Sequence, residues 1–353
     1  MRLANAHVPI LFALLCLAAL SSCASSVANE QPPIVKPLEL RPPELLTWVE
    51  ELSDEEEEAL PLVTQPAKLK ASLEAIASGP LEARVERLKQ KALKDLVFIE
   101  GGQFVMGDWG NYVAQWHSYP VHPVNITSFY MSRFQVTFAE FDTYTDATKT
   151  PRTAEAPVYR SSRHPLVPAG AIWQQARDYC QWVGQITGLP FDLPTEAQWE
   201  YAARSRGMFV VFPTDDGTIK RGTNLPGGGI HRKRISPQEN HDWGDLYPIG
   251  MFPPNSMGLY DLSHNGYEWM LDWYDVEYYK HSPADDPKGP ETGEEKVLRS
   301  RPNNETIGFG GVTASRFAKR PDMMMLLEGK WKSIYMTNYT LRCVVNTDKP
   351  LPK

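Results

Sequence analysis

The sequence lacks a basic tract, a long hydrophobic run and an internal repeat. Lys and Arg total 36 against 43 Asp and Glu, a net charge of −7. An acidic chain without a cationic stripe is a poor nucleic-acid binder, which sets that class aside. A membrane-spanning helix needs about 20 apolar residues; the run from Ile10 to Leu20 is too short. Also missing are a G-x-S-x-G elbow, a phosphate loop and an H-E-x-x-H helix, so the common hydrolase, nucleotide and zinc-protease signatures are absent. What is present is 42% hydrophobic and 22% charged residues, which excludes wholesale disorder. The length of 353 residues fits one large domain or two ordinary ones. The 24 glycines and 30 prolines favour a loop-rich fold over a helical bundle. Ten Trp and fifteen Tyr require buried, partly polar surroundings or a binding surface.

The short apolar run has the length of a signal-peptide core and ends in Leu20-Ser21-Ser22-Cys23. That tetrapeptide resembles the bacterial lipobox, in which Cys23 is lipidated and the chain is cut before it. The resemblance implies a lipid anchor in the bacterial cell envelope. Ala24 after the cysteine, rather than Asp, implies an outer-membrane address facing the periplasm. Several acyl chains hold a protein firmly, since each buried methylene contributes ~0.8 kcal/mol. The alternative is a secretory peptide cut at another small residue, leaving Cys23 a free thiol. With residues 1–22 removed, Cys180 and Cys343 remain. In an oxidising compartment they form one disulfide or stand as two separate buried thiols.

Residues 23–65 read as a tether: Pro32-Pro33 and Pro42-Pro43 favour an extended spacer, and the acidic run from Glu50 to Glu58 reads as a solvated segment rather than a calcium site. Residues 66–96 turn helical, with Leu69, Leu73, Ile76, Leu81, Val85, Leu88 and Leu93 in period, and Gly79-Pro80 divides two helices. Residues 97–347 form the domain and 348–353 a tail. Phe98 to Gly107 alternates around Gly101-Gly102 and predicts a β-hairpin. Thr137 with Glu140 makes a capping box opening a helix, and 171–186 and 195–206 read as helices.

The blocks Leu193-Pro194-Thr195-Glu196-Ala197-Gln198-Trp199-Glu200-Tyr201-Ala202-Ala203-Arg204, Asn265-Gly266-Tyr267-Glu268-Trp269 and Leu341-Arg342-Cys343 occur in one order and strongly resemble the sulfatase-modifying-factor family. Its enzymatic members are formylglycine-generating enzymes. The resemblance covers about residues 97–346. It implies an α+β, C-type-lectin-related fold with little regular secondary structure. It implies that Cys180 and Cys343 pair, while Ala203 and Phe317 stand where a second disulfide would be. It implies calcium held by Glu268 with the carbonyls of Ser263, His264 and Gly266; the alternative is Glu268 as a hydrogen-bonded structural carboxylate. A further calcium site would use Asn224 and Leu225 with an acid near Asp242, at imperfect spacing.

The family's catalytic pair of cysteines, which binds copper(I), has no counterpart. Val297-Leu298-Arg299-Ser300-Arg301-Pro302 lacks the family's Gly-Gly, and Ile307 to Val312 contains no cysteine. Copper is therefore not expected. The implied role is a non-catalytic binding or scaffold module holding a periplasmic protein or glycan, as in envelope machinery, secretion systems or immunity-type lipoproteins. The groove used for peptide in the enzymes would be lined by Trp269 and Arg316 and reshaped by Ser300 and Arg301; alternatively Trp269 and Arg316 are core. The competing class is a divergent formylglycine-generating oxidase or related oxidative maturation enzyme. Elsewhere, His117 and His122 read as surface histidines, Asp272 as an arginine partner such as Arg316 would need, and Gly227-Gly228-Gly229 as a flexible loop.

Overall fold

The computed structural model describes residues 52–351, apart from 114–115, 161, 238–245, 302–310, 328–329 and 334–336. Cys23, Asp242 and Ile307 lie outside the described residues, so the lipidation site, the third member of the second calcium set and the first missing thiol position carry no structural account.

Ser53 opens the first helix, α1 (Asp54–Ala59), through a reciprocal box with Glu56. A helical hairpin follows, α2 (Ala67–Ile76) and α3 (Leu81–Lys94), broken at Gly79-Pro80 where Gly79 takes φ +90°. Leu73, Ile76 and Leu88 are fully buried, and Ile76 and Leu88 join the main core of the domain. The hairpin is thus part of the globular body.

The chain then runs through β1 (Leu96–Ile99), β2 (Gly102–Met106), β3 (His122–Ile126) and β4 (Phe129–Ser132) into α4 (Phe138–Thr148), which Thr137 and Glu140 cap as the sequence predicts. α5 (Pro157–Arg160), α6 (Trp173–Thr187), β5 (Phe191–Asp192), α7 (Glu196–Ala203) and α8 (Gly229–Ile235) complete the middle. The last part is strand: β6 (Gly266–Trp273), β7 (Lys296–Arg301), β8 (Phe317–Lys319), β9 (Met324–Leu327), β10 (Lys330–Ser333), β11 (Tyr339–Thr340) and β12 (Val344–Val345).

One four-stranded sheet has the order β1-β4-β12-β5 and another β11-β6-β7-β8; β2 pairs β3 and β9 pairs β10. The expected hairpin around Gly101-Gly102 is therefore not formed. Phe98 pairs with Tyr130 in one sheet, whereas Phe104 pairs with Val124 in another. The glycines are needed for a different reason. A Cβ on Gly101 would lie 2.3 Å from the Ile126 carbonyl oxygen, so the turn packs against β3 as the chain crosses between sheets.

Cys180 of α6 is bonded to Cys343, the residue before β12, with Cα atoms 5.7 Å apart. The bridge ties the helix to the strand that sits between β4 and β5.

Within the acidic run Asp54, Glu55, Glu56 and Glu58 are exposed, as expected of a solvated segment, but Glu57 is not. Glu57 is buried and its Oε2 accepts the backbone N–H groups of Ile230 (2.8 Å) and His231 (3.3 Å) in α8. His231 in turn contacts the Pro61 carbonyl through Nε2 (3.0 Å), and the Arg234 guanidinium donates to the carbonyls of Glu57, Glu58 and Leu60. Gly227–Gly229 is correspondingly not a free loop. A Cβ on Gly228 would overlap the Glu57 carboxylate, so glycine is what lets the strap approach the helix.

Candidate functional site

Every residue of α7 is buried. Glu196, Glu200 and Arg204 recur every fourth position, so they lie in one stripe along the helix, and β7 and the residue just before β8 bring two more arginines to it. Arg299 donates to Glu196 (2.9 Å) and Glu200 (3.0 Å). Arg316 grips Glu196 with Nε (2.6 Å) and Nη2 (2.8 Å). Arg204 binds Glu200 (2.9 Å), which also accepts the Gly107 N–H (2.9 Å). The five side chains form a ladder, Arg316–Glu196–Arg299–Glu200–Arg204, sealed from solvent. Burial alone would raise the Glu196 carboxyl, but the Arg316 and Arg299 guanidiniums outweigh it and hold the group below its ordinary range.

Asp272 is not the partner of Arg316. It is buried on β6, and its Oδ2 accepts the Glu196 N–H at 2.9 Å, at the start of α7. Burial and the nearby Glu196 charge push its carboxyl up to about 7. Trp269 and Arg316 do not line a surface groove: they are 0% and 1% exposed. The Trp269 indole donates to the Ala171 carbonyl (2.8 Å) and stacks on Tyr339 with centroids 5.7 Å apart. Their large contact area is spent in the core. Ser300 is also buried and adopts φ +63°. It stands where the resemblance places a glycine, in the left-handed region that glycine adopts freely. Arg301 pairs with Gly266 across β7 and β6. Val312, at the position of the second thiol, packs into a small apolar cluster with Tyr112, Val113, Phe212 and Ala314.

The implied calcium ligands do not fit that ion. Glu268 is fully buried, and both its oxygens are engaged by Arg342 (2.8 and 3.0 Å) and by the Trp199 indole N–H (2.8 Å). A dication there would face the guanidinium at contact range. Ser263 donates to the Gly311 carbonyl (3.0 Å) and Ser300 reaches the His264 carbonyl at 3.5 Å. Gly266, at φ +114°, abuts Thr340. At the second set, the Asn224 Oδ1 accepts the Lys220 N–H (2.7 Å), and the Leu225 carbonyl accepts the Gly222 N–H (2.7 Å). Among the described residues, no three His, Cys, Asp or Glu side chains are grouped to hold a metal. His117 and His122 are half-buried and packed edge-on against Tyr274 and Tyr279, so they are neither simple surface residues nor a pair.

The Arg–Glu ladder and the Glu57 strap escape a residue-by-residue reading of the sequence. The fourfold spacing of Glu196, Glu200 and Arg204 is a signal for the ladder; nothing local marks Glu57, whose partners lie over 170 positions away.

Residues 82–345 match the sulfatase-modifying factor enzyme 1-like domain. The serine/threonine-protein kinase pkn1 of Chlamydia pneumoniae is 30% identical over 272 residues, covering 71% of this chain and 39% of that protein. The chain therefore spans well under half the length of that relative. The formylglycine-generating enzyme of Streptomyces coelicolor is 27% identical over 262 residues, covering 60% of this chain and 79% of the enzyme. The solved structure of PvdO from Pseudomonas aeruginosa superposes with a TM-score of 0.53 at 25% identity, over 71% of this chain and 93% of PvdO. With most of its length inside the family match and its α+β fold shared with PvdO, the chain belongs to the sulfatase-modifying-factor, formylglycine-generating-enzyme-like family.

Proposed function

We propose that the protein is a lipid-anchored envelope protein whose sulfatase-modifying-factor domain holds a periplasmic partner instead of making formylglycine. One observation carries the reading. The sequence has four cysteines, and the two inside the domain are bonded to each other. No thiolate pair is left to hold copper(I), a soft ion that selects sulfur ligands. Val312 fills the corresponding position with an apolar side chain.

The test is to incubate the purified chain with copper(I), oxygen and a Cys-x-Pro-x-Arg peptide, then weigh the peptide. The expected mass is that of unconverted cysteine; aldehyde formation with turnover would reject the binding role. The anchor is tested separately. Cys23→Ser should move the protein from the membrane fraction to the soluble fraction, and full membrane retention would reject lipidation.

A further inference from the structure

A cleft of about 450 Å3 lies between the α2–α3 hairpin and the segments around Arg133–Phe134 and Tyr260. In a chain of net charge −7, its wall carries five cations, Lys68, Arg87, Lys91, Lys94 and Arg133, against one carboxylate, Asp95. Two of the five are occupied. Lys91 binds Glu140 (2.9 Å) and Asp95 (3.0 Å). Arg87 donates to the carbonyls of Ala75 and Ser78. The side chains of Lys68, Lys94 and Arg133 have no hydrogen bond or ion pair among the described residues.

These three line the same cleft. Lys68 is in the first turn of α2 and Lys94 is the last residue of α3, ends that a helical hairpin brings together. The Arg133 N–H donates to the Asp95 carbonyl (2.8 Å), one residue beyond Lys94. Part of the lining is apolar: Phe134 and Tyr260 pack with centroids 4.7 Å apart, in one cluster with Leu69. A Cβ on Gly250 would lie 2.7 Å from Phe134 and 2.9 Å from Leu69, so glycine lets this surface close up. Along α3, Arg87 to Lys94 spans about 10 Å, the length of about three extended residues.

We propose that this cleft binds an acidic, extended peptide segment of a partner protein, with carboxylates at Lys68, Lys94 and Arg133 and an apolar side chain over Phe134 and Tyr260. The proposal rests on the binding-module reading and gives that partner a chemistry. Charge complementarity of this kind fixes register and speeds encounter, and it weakens with salt.

The experiment is fluorescence anisotropy of the full chain with a labelled peptide, acetyl-Glu-Asp-Phe-Glu-Asp-Glu-amide. Binding should weaken as salt rises. Lys94→Gln with Arg133→Gln should weaken it ~10-fold or more, about 1.4 kcal/mol or more, at unchanged melting temperature, since neither side chain has a partner to lose. Lys349→Glu, in the exposed tail, should leave it unchanged. Absence of binding, or equal binding by the double variant, overturns the proposal. So does adsorption to phosphatidylglycerol vesicles through the same two residues without peptide binding, which would assign the cleft to a lipid surface. Aldehyde formation does not involve this cleft, so the two readings fail separately.

Discussion

Arg342 holds Glu268 side-on in a fully buried pair, with Nη2 2.8 Å from Oε1 and Nε 3.0 Å from Oε2. The remaining N–H groups of the guanidinium are spent on the carbonyls of Ser132, Arg133 and Tyr260, at 2.7 to 3.0 Å. The pair therefore joins β6 to the segment before β12 and to the end of β4. A bidentate geometry of this kind is strong and orientation-specific. It also removes the carboxylate from metal duty.

Glu268→Ala leaves the Arg342 charge buried without its counter-ion, and should cost about 3–5 kcal/mol in chemical denaturation. Calcium and a chelator should give the same melting temperature for the unmodified chain. A calcium-induced rise that disappears in Glu268→Gln would restore the metal site.

The Cys180–Cys343 bridge spans 163 residues. In the chain-entropy model a loop of that size restricts the unfolded chain by about 5 kcal/mol, with observed losses of roughly 2–5 kcal/mol. Cys180→Ala should lower the denaturation midpoint accordingly. A loss below ~1 kcal/mol would mean that the helix–strand junction is held by packing alone.

Patterns that reach only a few residues were legible in the sequence. Thr137 with Glu140 and the break at Gly79-Pro80 both act locally, and both appear where the spacing puts them. The family resemblance supplied the Cys180–Cys343 pairing, which no local pattern contains. What failed was long-range. Alternation around Gly101-Gly102 identifies two strands but not their partners, because pairing is decided by sheets assembled from distant segments. Trp269 and Arg316 have the residue types of a binding groove, yet partners more than ninety positions away, Ala171 and Glu196, draw them into the core. Glu57 sits in a run whose composition predicts solvation, and only the distant N–H groups of α8 overrule it.

Ser300 takes the left-handed conformation at φ +63°. That region costs an L-residue roughly 1–2 kcal/mol, while glycine gives back about 0.4–1 kcal/mol through a freer unfolded chain. Ser300→Gly should therefore raise stability by up to ~1 kcal/mol, and Ser300→Val should lower it because a β-branched side chain resists the same backbone. Opposite signs for the two variants in one denaturation series check the claim; a destabilised glycine variant would show that the hydroxyl, near the His264 carbonyl, matters more than the backbone.

Asp272 ties pH to stability at the start of α7. Its carboxyl titrates near 3.8 when unperturbed and at about 7 in the folded chain, through burial and then the charge of Glu196. Between those values the folded protein holds a proton that the unfolded chain has released. The stability of the neutral form is complete below the lower value and is lost as pH rises through the upper one. Glu196 acts in the other direction, because its lowered carboxyl contributes stability above its ordinary range and loses it only in acid. Above pH ~5, then, the Asp272 slope stands apart from that of Glu196. Asp272→Asn keeps an oxygen to accept the Glu196 N–H and cannot ionise. Its stability relative to the unmodified chain should be smallest in mild acid and grow by a few kcal/mol, at most ~4, by slightly alkaline pH. The same comparison cancels the contribution of Asp261, which burial also pushes up to about 7. A difference that stays flat across this range would mean that Asp272 is charged in the folded state and held there by the Arg316 end of the ladder.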